Sequence, residues 1–221
     1  MRKILALVAA FFVPALGNAD VEKFEVELAA LVNPLIEERL LPGFHLSVYR
    51  NDGLVFQKSV GSADDKAKLK SGPDVLYFLD SMSKPLTGLL LVRLSEKGLL
   101  NLDEPIEKYL PEFRQAVIQN QKRGDQLSPV DRKITIRQLL THTSGLTHSL
   151  GTTSKTQVAN EYRKMRVMTR NSVANSKLGD LSQQVGALAK IPLVSEPGAR
   201  FEFSVGFDVA GRIAEIVTGK D

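Results

Sequence analysis

The sequence of 221 residues contains no cysteine, which excludes disulfide bonds, thiolate metal sites and a cysteine nucleophile. Its three histidines, His45, His142 and His148, match no metal-binding pattern such as H-E-x-x-H. The sequence also has no large excess of charge of one sign. It contains 29 lysine and arginine residues and 25 aspartate and glutamate residues, which give a formal net charge of only +4. That balance gives no support to nucleic-acid binding. We therefore expect no metal, no other cofactor and no nucleic-acid partner.

Long apolar runs are absent after the first residues, so we expect no membrane span. At the start, Arg2 and Lys3 precede an apolar run over Ile4–Leu16, and small residues follow as far as Ala19. This order is typical of a signal peptide, although a buried N-terminal helix is the alternative. We predict that residues 1–19 are a signal peptide and that the mature chain is periplasmic or secreted. The sequence gives no indication of the oligomeric state.

The first part of the mature chain reads as a helix followed by two strands. Apolar residues at helical spacing predict a helix over Val21–Leu41. Short apolar runs predict strands over Phe44–Tyr49 and Leu54–Val60, joined by a hairpin turn at Asn51-Asp52-Gly53. The polar, lysine-rich stretch Asp64–Gly72 predicts a loop.

The next segment predicts a buried helix. Pro85–Leu94 is apolar on nearly every side, whereas a surface helix has one apolar face. Pro85 suits a first helical turn, and Gly98 suits the position just beyond the last. Ser81 and Lys84 are therefore expected at the N-terminus of a buried helix.

The remaining sequence predicts an irregular, mostly helical lobe over residues 101–193. Thr135–Gln138 and Asp180–Gln183 both have a capping residue with glutamine three positions later, the pattern of a helix start. After the lobe, we predict a short extended segment over Arg200–Val205 and a further helix over Val209–Val217. The fold class expected from these elements is α/β with an all-α lobe.

Ser81 and Lys84 are the candidate catalytic pair. A serine hydroxyl needs a base within hydrogen-bonding distance, and residues three apart on a helix lie on the same face. A lysine in apolar surroundings is pushed toward its neutral form, which can accept the serine proton. The Ser81 backbone N–H at the helix start is a candidate oxyanion donor. An isolated S-x-x-K spacing has another interpretation, in which the serine caps a helix and the lysine lies at the surface.

His142 is a second candidate base, as in a Ser–His hydrolase. The sequence contains no G-x-S-x-G segment, the pattern that surrounds the serine of one large class of such enzymes. A structural packing role for His142 is therefore favoured.

Three segments carry a resemblance to a known family. Tyr77–Gly88 reads YFLDSMSKPLTG, Ile134–Leu146 reads ITIRQLLTHTSGL, and Glu196–Val205 reads EPGARFEFSV. In this order they resemble the signatures of class C β-lactamases and the related penicillin-binding serine esterases. The resemblance implies a β-lactamase/transpeptidase-like domain over residues 20–221 and an exported serine hydrolase or acyltransferase. Its small-molecule acyl substrate would be a β-lactam, a D-amino-acid peptide or a small ester, attacked through an acyl-enzyme.

Two positions in the third segment depart from the family pattern. Phe203 stands where the family has a tyrosine that takes part in proton transfer, and Val205 stands at the family's asparagine position. Val205 fits the esterase-like branch, whereas Phe203 fits neither branch. Both are candidate substrate-binding residues on the strength of the resemblance.

The family also has a K-T-G or H-x-G strand downstream of the third segment. Lys70-Ser71-Gly72 matches that pattern in letters but precedes Ser81, so we interpret it as a chance match. The resemblance then implies a fold lacking its C-terminal strands. It leaves an alternative function open, that of a degenerate or truncated relative that binds acyl compounds or cell-wall fragments without turnover.

Overall fold

A computed structural model describes residues 18–77, 79–120, 126–148, 157–165 and 179–220. Contacts divide the chain into two compact units, Met1–Phe78 and Leu79–Asp221. Most of the predicted signal peptide, residues 1–17, lies outside the described residues, so the prediction of cleavage after Ala19 stays a prediction.

The first unit is a helix followed by a three-stranded antiparallel sheet in the order β1-β2-β3. Its elements are α1 (Asn18–Glu37), β1 (Gly43–Arg50), β2 (Gly53–Asp64) and β3 (Leu69–Lys70). The predicted hairpin is confirmed: Asn51 and Asp52 have φ values of 47° and 64° and join the paired residues Arg50 and Gly53. Two positive φ values in succession are what a type I′ turn requires.

The loop predicted over residues 64–72 is wrong in part. Leu69 and Lys70 form the short edge strand β3, in which Lys70 pairs with Ser62 of β2. The polar sequence concealed this strand because an edge strand pairs through its backbone and buries little side-chain surface. Lys70, Ser71 and Gly72 thus belong to the end of this sheet.

The core of the first unit lies between α1 and the sheet. Leu28 and Val32 of α1 are buried together with Phe56 of β2. The Phe24 ring meets the Phe56 ring edge to face, with ring centres 5.1 Å apart, a favoured aromatic geometry. These buried side chains therefore pack as the apolar spacing indicated, whereas Leu31 of α1, which shares that spacing, is 54% exposed.

The second unit combines five helices with a two-stranded hairpin among the described residues. They are α2 (Ser83–Glu96), β4 (Val117–Asn120), β5 (Gln126–Pro129), α3 (Ile136–Leu140), α4 (Gln157–Met165), α5 (Leu181–Leu188) and α6 (Gly206–Thr218). Both predicted helix starts are confirmed as capping boxes, formed by Thr135 with Gln138 and by Asp180 with Gln183. The helix predicted near residues 209–217 is α6.

The β4–β5 hairpin adds two short strands to the lobe, whose other described elements are helical as predicted. It is anchored by a distant residue, because the Leu193 N–H donates to the Val117 carbonyl at 2.8 Å and the Gln119 N–H donates to the Leu193 carbonyl at 3.0 Å. This partner is remote in sequence, so no local pattern could indicate it. The segment predicted as extended, residues 200–205, forms no strand.

The expected burial of α2 also needs correction. Within α2, Leu91 and Leu94 are buried, whereas Leu86 and Leu89 are each 59% exposed. The core of this unit, which includes Leu139 of α3 and Ile213 of α6, reaches α2 from one side. Apolar sequence on every side of a helix therefore did not produce burial on every side.

The described helices include none that combines the length and the apolar character needed to cross a lipid bilayer.

Candidate active site

Ser81 and Lys84 are brought together at the start of α2. Ser81 lies in a short 3₁₀ turn, Asp80–Met82, which is closed by the Met82 N–H donating to the Leu79 carbonyl at 3.0 Å. Lys84 lies in the first turn of α2, and its Nζ donates to Ser81 Oγ at 3.2 Å. Ser81 is exposed and Lys84 is half-buried. A hydroxyl open to solvent with an amine beside it is the arrangement that nucleophilic catalysis requires.

Phe203 lies next to this pair. Lys84 Nζ stands over its ring, 5.6 Å from the ring centre, within the range of a cation–π contact. The Phe203 side chain is 44% exposed. Phe203 therefore offers Lys84 the face of a ring and no hydroxyl.

Val205 is not brought to the same place. Its side chain is buried in the core of the second unit, and its backbone N–H donates to the Thr147 carbonyl at 3.2 Å. The structure thus gathers Ser81, Lys84 and Phe203 and leaves Val205 in the core.

The segment that carries Phe203 is fastened to the loop that follows α3. The Glu202 N–H donates to the His142 carbonyl at 2.7 Å, and the Ser204 N–H donates to His142 Nδ1 at 3.2 Å. Thr147 Oγ1 donates to Glu202 Oε1 at 3.1 Å. These bonds hold the backbone on both sides of Phe203 and so position its ring beside Lys84.

The loop itself rests on a buried tyrosine. The Thr147 N–H donates to the hydroxyl of Tyr162 in α4 at 3.3 Å, and Tyr162 is 1% exposed. Burial raises the pKa of the Tyr162 phenol, so this hydroxyl stays protonated and serves as a structural partner.

Two further titratable side chains lie near this site, His148 against Phe203 and Asp208 near Lys84, and neither was predicted as a site residue from the sequence. The His148 ring meets the Phe203 ring edge to face, with ring centres 5.2 Å apart. Asp208 lies in the first turn of α6, where partial burial raises the pKa of its carboxyl and the nearby Lys84 charge opposes that rise. The positions of His148 beside Phe203 and of Asp208 near Lys84 do not follow from sequence spacing, because they depend on how α6 and the loop after α3 pack.

Within the described ranges of the chain, no three histidine, aspartate or glutamate side chains are gathered in a way that could hold a metal ion.

Comparison with known proteins gives a family match over most of the chain. The family model described as Beta-lactamase matches residues 28–221. Esterase EstB of Burkholderia gladioli is 30% identical over 214 residues, which are 97% of this chain and 50% of the esterase. The chain spans half the length of that relative.

Solved structures show the same partial coverage. EstCE1, a hydrolase with promiscuous acyltransferase activity, is 26% identical with a TM-score of 0.75 and is matched over 91% of this chain and 49% of its own. A class C beta-lactamase is 21% identical with a TM-score of 0.61, over 93% of this chain and 47% of its own. The fold is the β-lactamase/transpeptidase-like fold, and this chain matches about half of it in each neighbour.

Proposed function

The chain belongs to the beta-lactamase family, and on this premise we propose that it carries the nucleophile of a serine hydrolase or acyltransferase that works through an acyl-enzyme. The observation that supports the proposal is the 3.2 Å contact between Lys84 Nζ and Ser81 Oγ. It joins a nucleophile and a base in one turn of chain, with the nucleophile open to solvent. Ser81 is the nucleophile, and Lys84 is the general base.

This chemistry requires the unprotonated form of Lys84, because only an unprotonated amine can accept a proton. Lys84 Nζ takes the proton of Ser81 Oγ while Oγ forms a bond to the substrate carbonyl carbon, and the carbonyl oxygen becomes an oxyanion. When the carbonyl re-forms, the bond to the leaving group breaks, and the leaving group takes the proton from the Lys84 ammonium. Water or another acceptor then gives a proton to Lys84 as it attacks the acyl carbon, and Ser81 Oγ recovers that proton when the acyl group departs.

The oxyanion needs a donor close to Ser81. We assign the Ser81 backbone N–H to this role, because it lies in the 3₁₀ turn that leads into α2. The N-terminus of the 14-residue helix adds positive potential at the same point. A single donor of this kind typically contributes on the order of 10²–10³ in rate.

Within the family, we propose a small ester as the substrate. Val205 at the family's asparagine position fits the esterase-like branch, and the similar proteins include EstB and EstCE1. The test compares hydrolysis of a nitrophenyl ester with that of a chromogenic cephalosporin by the same preparation. Faster turnover of the cephalosporin would contradict this choice of substrate.

A second candidate function is binding of an acyl compound without turnover. Phe203 supports it, because a ring without a hydroxyl stands beside Lys84 where the family has a proton-transferring tyrosine. The two functions differ after the first step: a hydrolase releases the acyl group, whereas a binder stays acylated or never reacts. Labelling of Ser81 by a fluorophosphonate, followed by a turnover assay, separates them.

We also propose that the protein is exported to the periplasm or the exterior. The support is the sequence of the first residues, in which Arg2 and Lys3 precede an apolar run and small residues end at Ala19.

A further inference from the structure

His142 lies at the centre of an aromatic cluster beside the proposed nucleophile. Its ring centre is 4.8 Å from that of Phe203, 5.4 Å from that of Phe207 and 5.7 Å from that of Phe201. The residue has a φ of 54°, in the left-handed region that histidine and asparagine tolerate better than most residues. Ring and backbone are thus both held in one particular orientation.

The hydrogen bonds of His142 specify which ring nitrogen carries the proton. The Ser204 backbone N–H points at Nδ1 at 3.2 Å, and a backbone N–H can only donate. Nδ1 must therefore be unprotonated, and the neutral ring carries its proton on Nε2. Ser204 Oγ, also 3.2 Å from Nδ1, accepts from the Gly206 N–H at 3.3 Å, which leaves its own proton free to point at Nδ1.

The surroundings favour this neutral ring. Partial burial lowers the pKa of His142, and the positive charges of Lys84 on α2 and of His148 on the same loop lower it further. Two carboxyl groups lie on the neighbouring elements, that of Glu202 in the adjacent segment and that of Asp208 in α6. Protonation of Nδ1 would set a proton against the Ser204 N–H and break the bond that holds the segment.

We propose that His142, as the neutral tautomer with its proton on Nε2, is the positioning residue that holds the Phe203-bearing segment beside Lys84. Its carbonyl and its Nδ1 accept from the backbone N–H groups of Glu202 and Ser204, the residues directly before and after Phe203. His142 thus holds the backbone both before and after Phe203, the residue whose ring lies beneath Lys84 Nζ. That this positioning affects catalysis rests on the function proposed above. The positioning of the segment by His142 does not depend on that function.

Nitrogen NMR of the 221-residue chain with ¹⁵N-labelled histidine tests the tautomer directly. The chain has three histidines, so His45→Asn and His148→Asn variants assign the His142 signals. We expect one tautomer for His142, with the proton on Nε2, and a titration midpoint below that of a free imidazole. A proton on Nδ1 at neutral pH, or a mixture of both tautomers, would overturn the proposal.

Two variants then separate the acceptor from the ring. His142→Asn keeps a side-chain hydrogen-bond acceptor and tolerates a positive φ. His142→Phe keeps an aromatic ring but has no side-chain acceptor, and it tolerates the φ of 54° less well than histidine or asparagine. We expect fluorophosphonate labelling of Ser81 to stay within about threefold of wild type in the asparagine variant and to slow by about tenfold to a hundredfold in the phenylalanine variant, the scale of a misplaced active-site group. The opposite order would show that ring packing matters and the acceptor does not.

The pH dependence gives a further readout, because a proton on His142 Nδ1 would break its hydrogen bond with the Ser204 N–H. The native pKa of His142 lies below its ordinary value of about 6.5, so the unfolded chain binds the proton first as the pH falls. The free energy of unfolding should therefore decrease as the pH drops below about 6.5 and level off below the native pKa. Urea unfolding at several pH values should show this loss in wild type and a smaller loss in His142→Asn. Equal losses would contradict the proposal. If wild type shows no Ser81 labelling at all, the proposed function fails, and the tautomer and unfolding results still decide the role of His142.

Discussion

Lys84 Nζ stands 5.6 Å from the centre of the Phe203 ring, so an aromatic face lies beside the proposed base. A phenyl ring attracts an ammonium group but cannot accept or donate a proton. In the proposed reaction, Lys84 and water must therefore carry out all the proton transfers. Loss of one general acid–base group typically lowers a rate by about 10² to 10⁴.

Restoring the hydroxyl should raise turnover. In a chimera that joins this chain to the part of EstB outside the aligned half, we expect Phe203→Tyr to increase nitrophenyl-ester turnover at least about tenfold, which corresponds to ~1.4 kcal/mol of barrier. The Phe203 side chain is 44% exposed in this chain, and the substitution adds one oxygen to a ring that is already present. The measurement is steady-state turnover of both chimeras, with Ser81 labelling as a control for an intact site. An unchanged rate with normal labelling would mean that Lys84 suffices alone.

Ser81 should be the residue that reacts with a fluorophosphonate. Peptide mass spectrometry after labelling should place the adduct on Ser81, because its hydroxyl is exposed and 3.2 Å from Lys84 Nζ. Ser81→Ala should abolish labelling, and Ser83→Ala, two residues further along and also exposed, is the matched control that should leave it intact. Lys84→Met should slow labelling by about 10² to 10⁴. An adduct that persists in Ser81→Ala would refute the assignment.

The features that the sequence predicted correctly are local ones. The turn at Asn51 and Asp52 and the capping box of Thr135 with Gln138 depend on residues within four positions of one another. The approach of Lys84 to Ser81 is of the same kind, because residues three apart share a helix face. Such features follow from backbone geometry before the chain has packed.

The features that it missed depend on distant residues. Strand β4 forms where Leu193 supplies backbone partners to Val117 and Gln119, and no short pattern records that pairing. The exposure of Leu86 depends on which sides of α2 the core reaches. Family resemblance alone placed Phe203 near the site. The hydrogen bond that the Ser204 N–H donates to His142, next to Phe203, is seen only in the structure.

The prediction of export concerns the first residues of the chain. Protein produced in the native host should begin at about residue 20, because a basic start, an apolar run and small residues are the features that signal peptidase reads. N-terminal sequencing of the protein recovered from the periplasm or the medium is the measurement. Replacing an apolar residue in the run by arginine, as in Leu7→Arg, should keep the chain inside the cell at full length. A wild-type chain that still begins at Met1 would contradict the prediction.

The last prediction concerns the packing of α6 against α3, just after the segment that carries Phe203. Gly206, the first residue of α6, lies against α3 so closely that a Cβ there would be 2.5 Å from the Leu139 carbonyl oxygen and 3.2 Å from its carbonyl carbon. Both atoms belong to the backbone and cannot move aside as a flexible side chain could. Gly206→Ala should therefore push α6 away from α3 and destabilise the fold by about 1–3 kcal/mol, the usual cost of overpacking a core.

Gly211 in the same helix is the matched control. A Cβ at Gly211 would lie 3.8 Å from Leu181 Cδ2, an ordinary van der Waals distance. Gly211→Ala should stabilise the fold by about 0.5–1 kcal/mol, because alanine loses less conformational freedom than glycine in a helix interior. Urea unfolding of the two variants and wild type measures both effects, with opposite signs expected from the same chemical change in one helix. Equal stability of Gly206→Ala and wild type would show that α3 and α6 do not approach this closely, and a loss in both variants would show that α6 tolerates no added methyl group on either side.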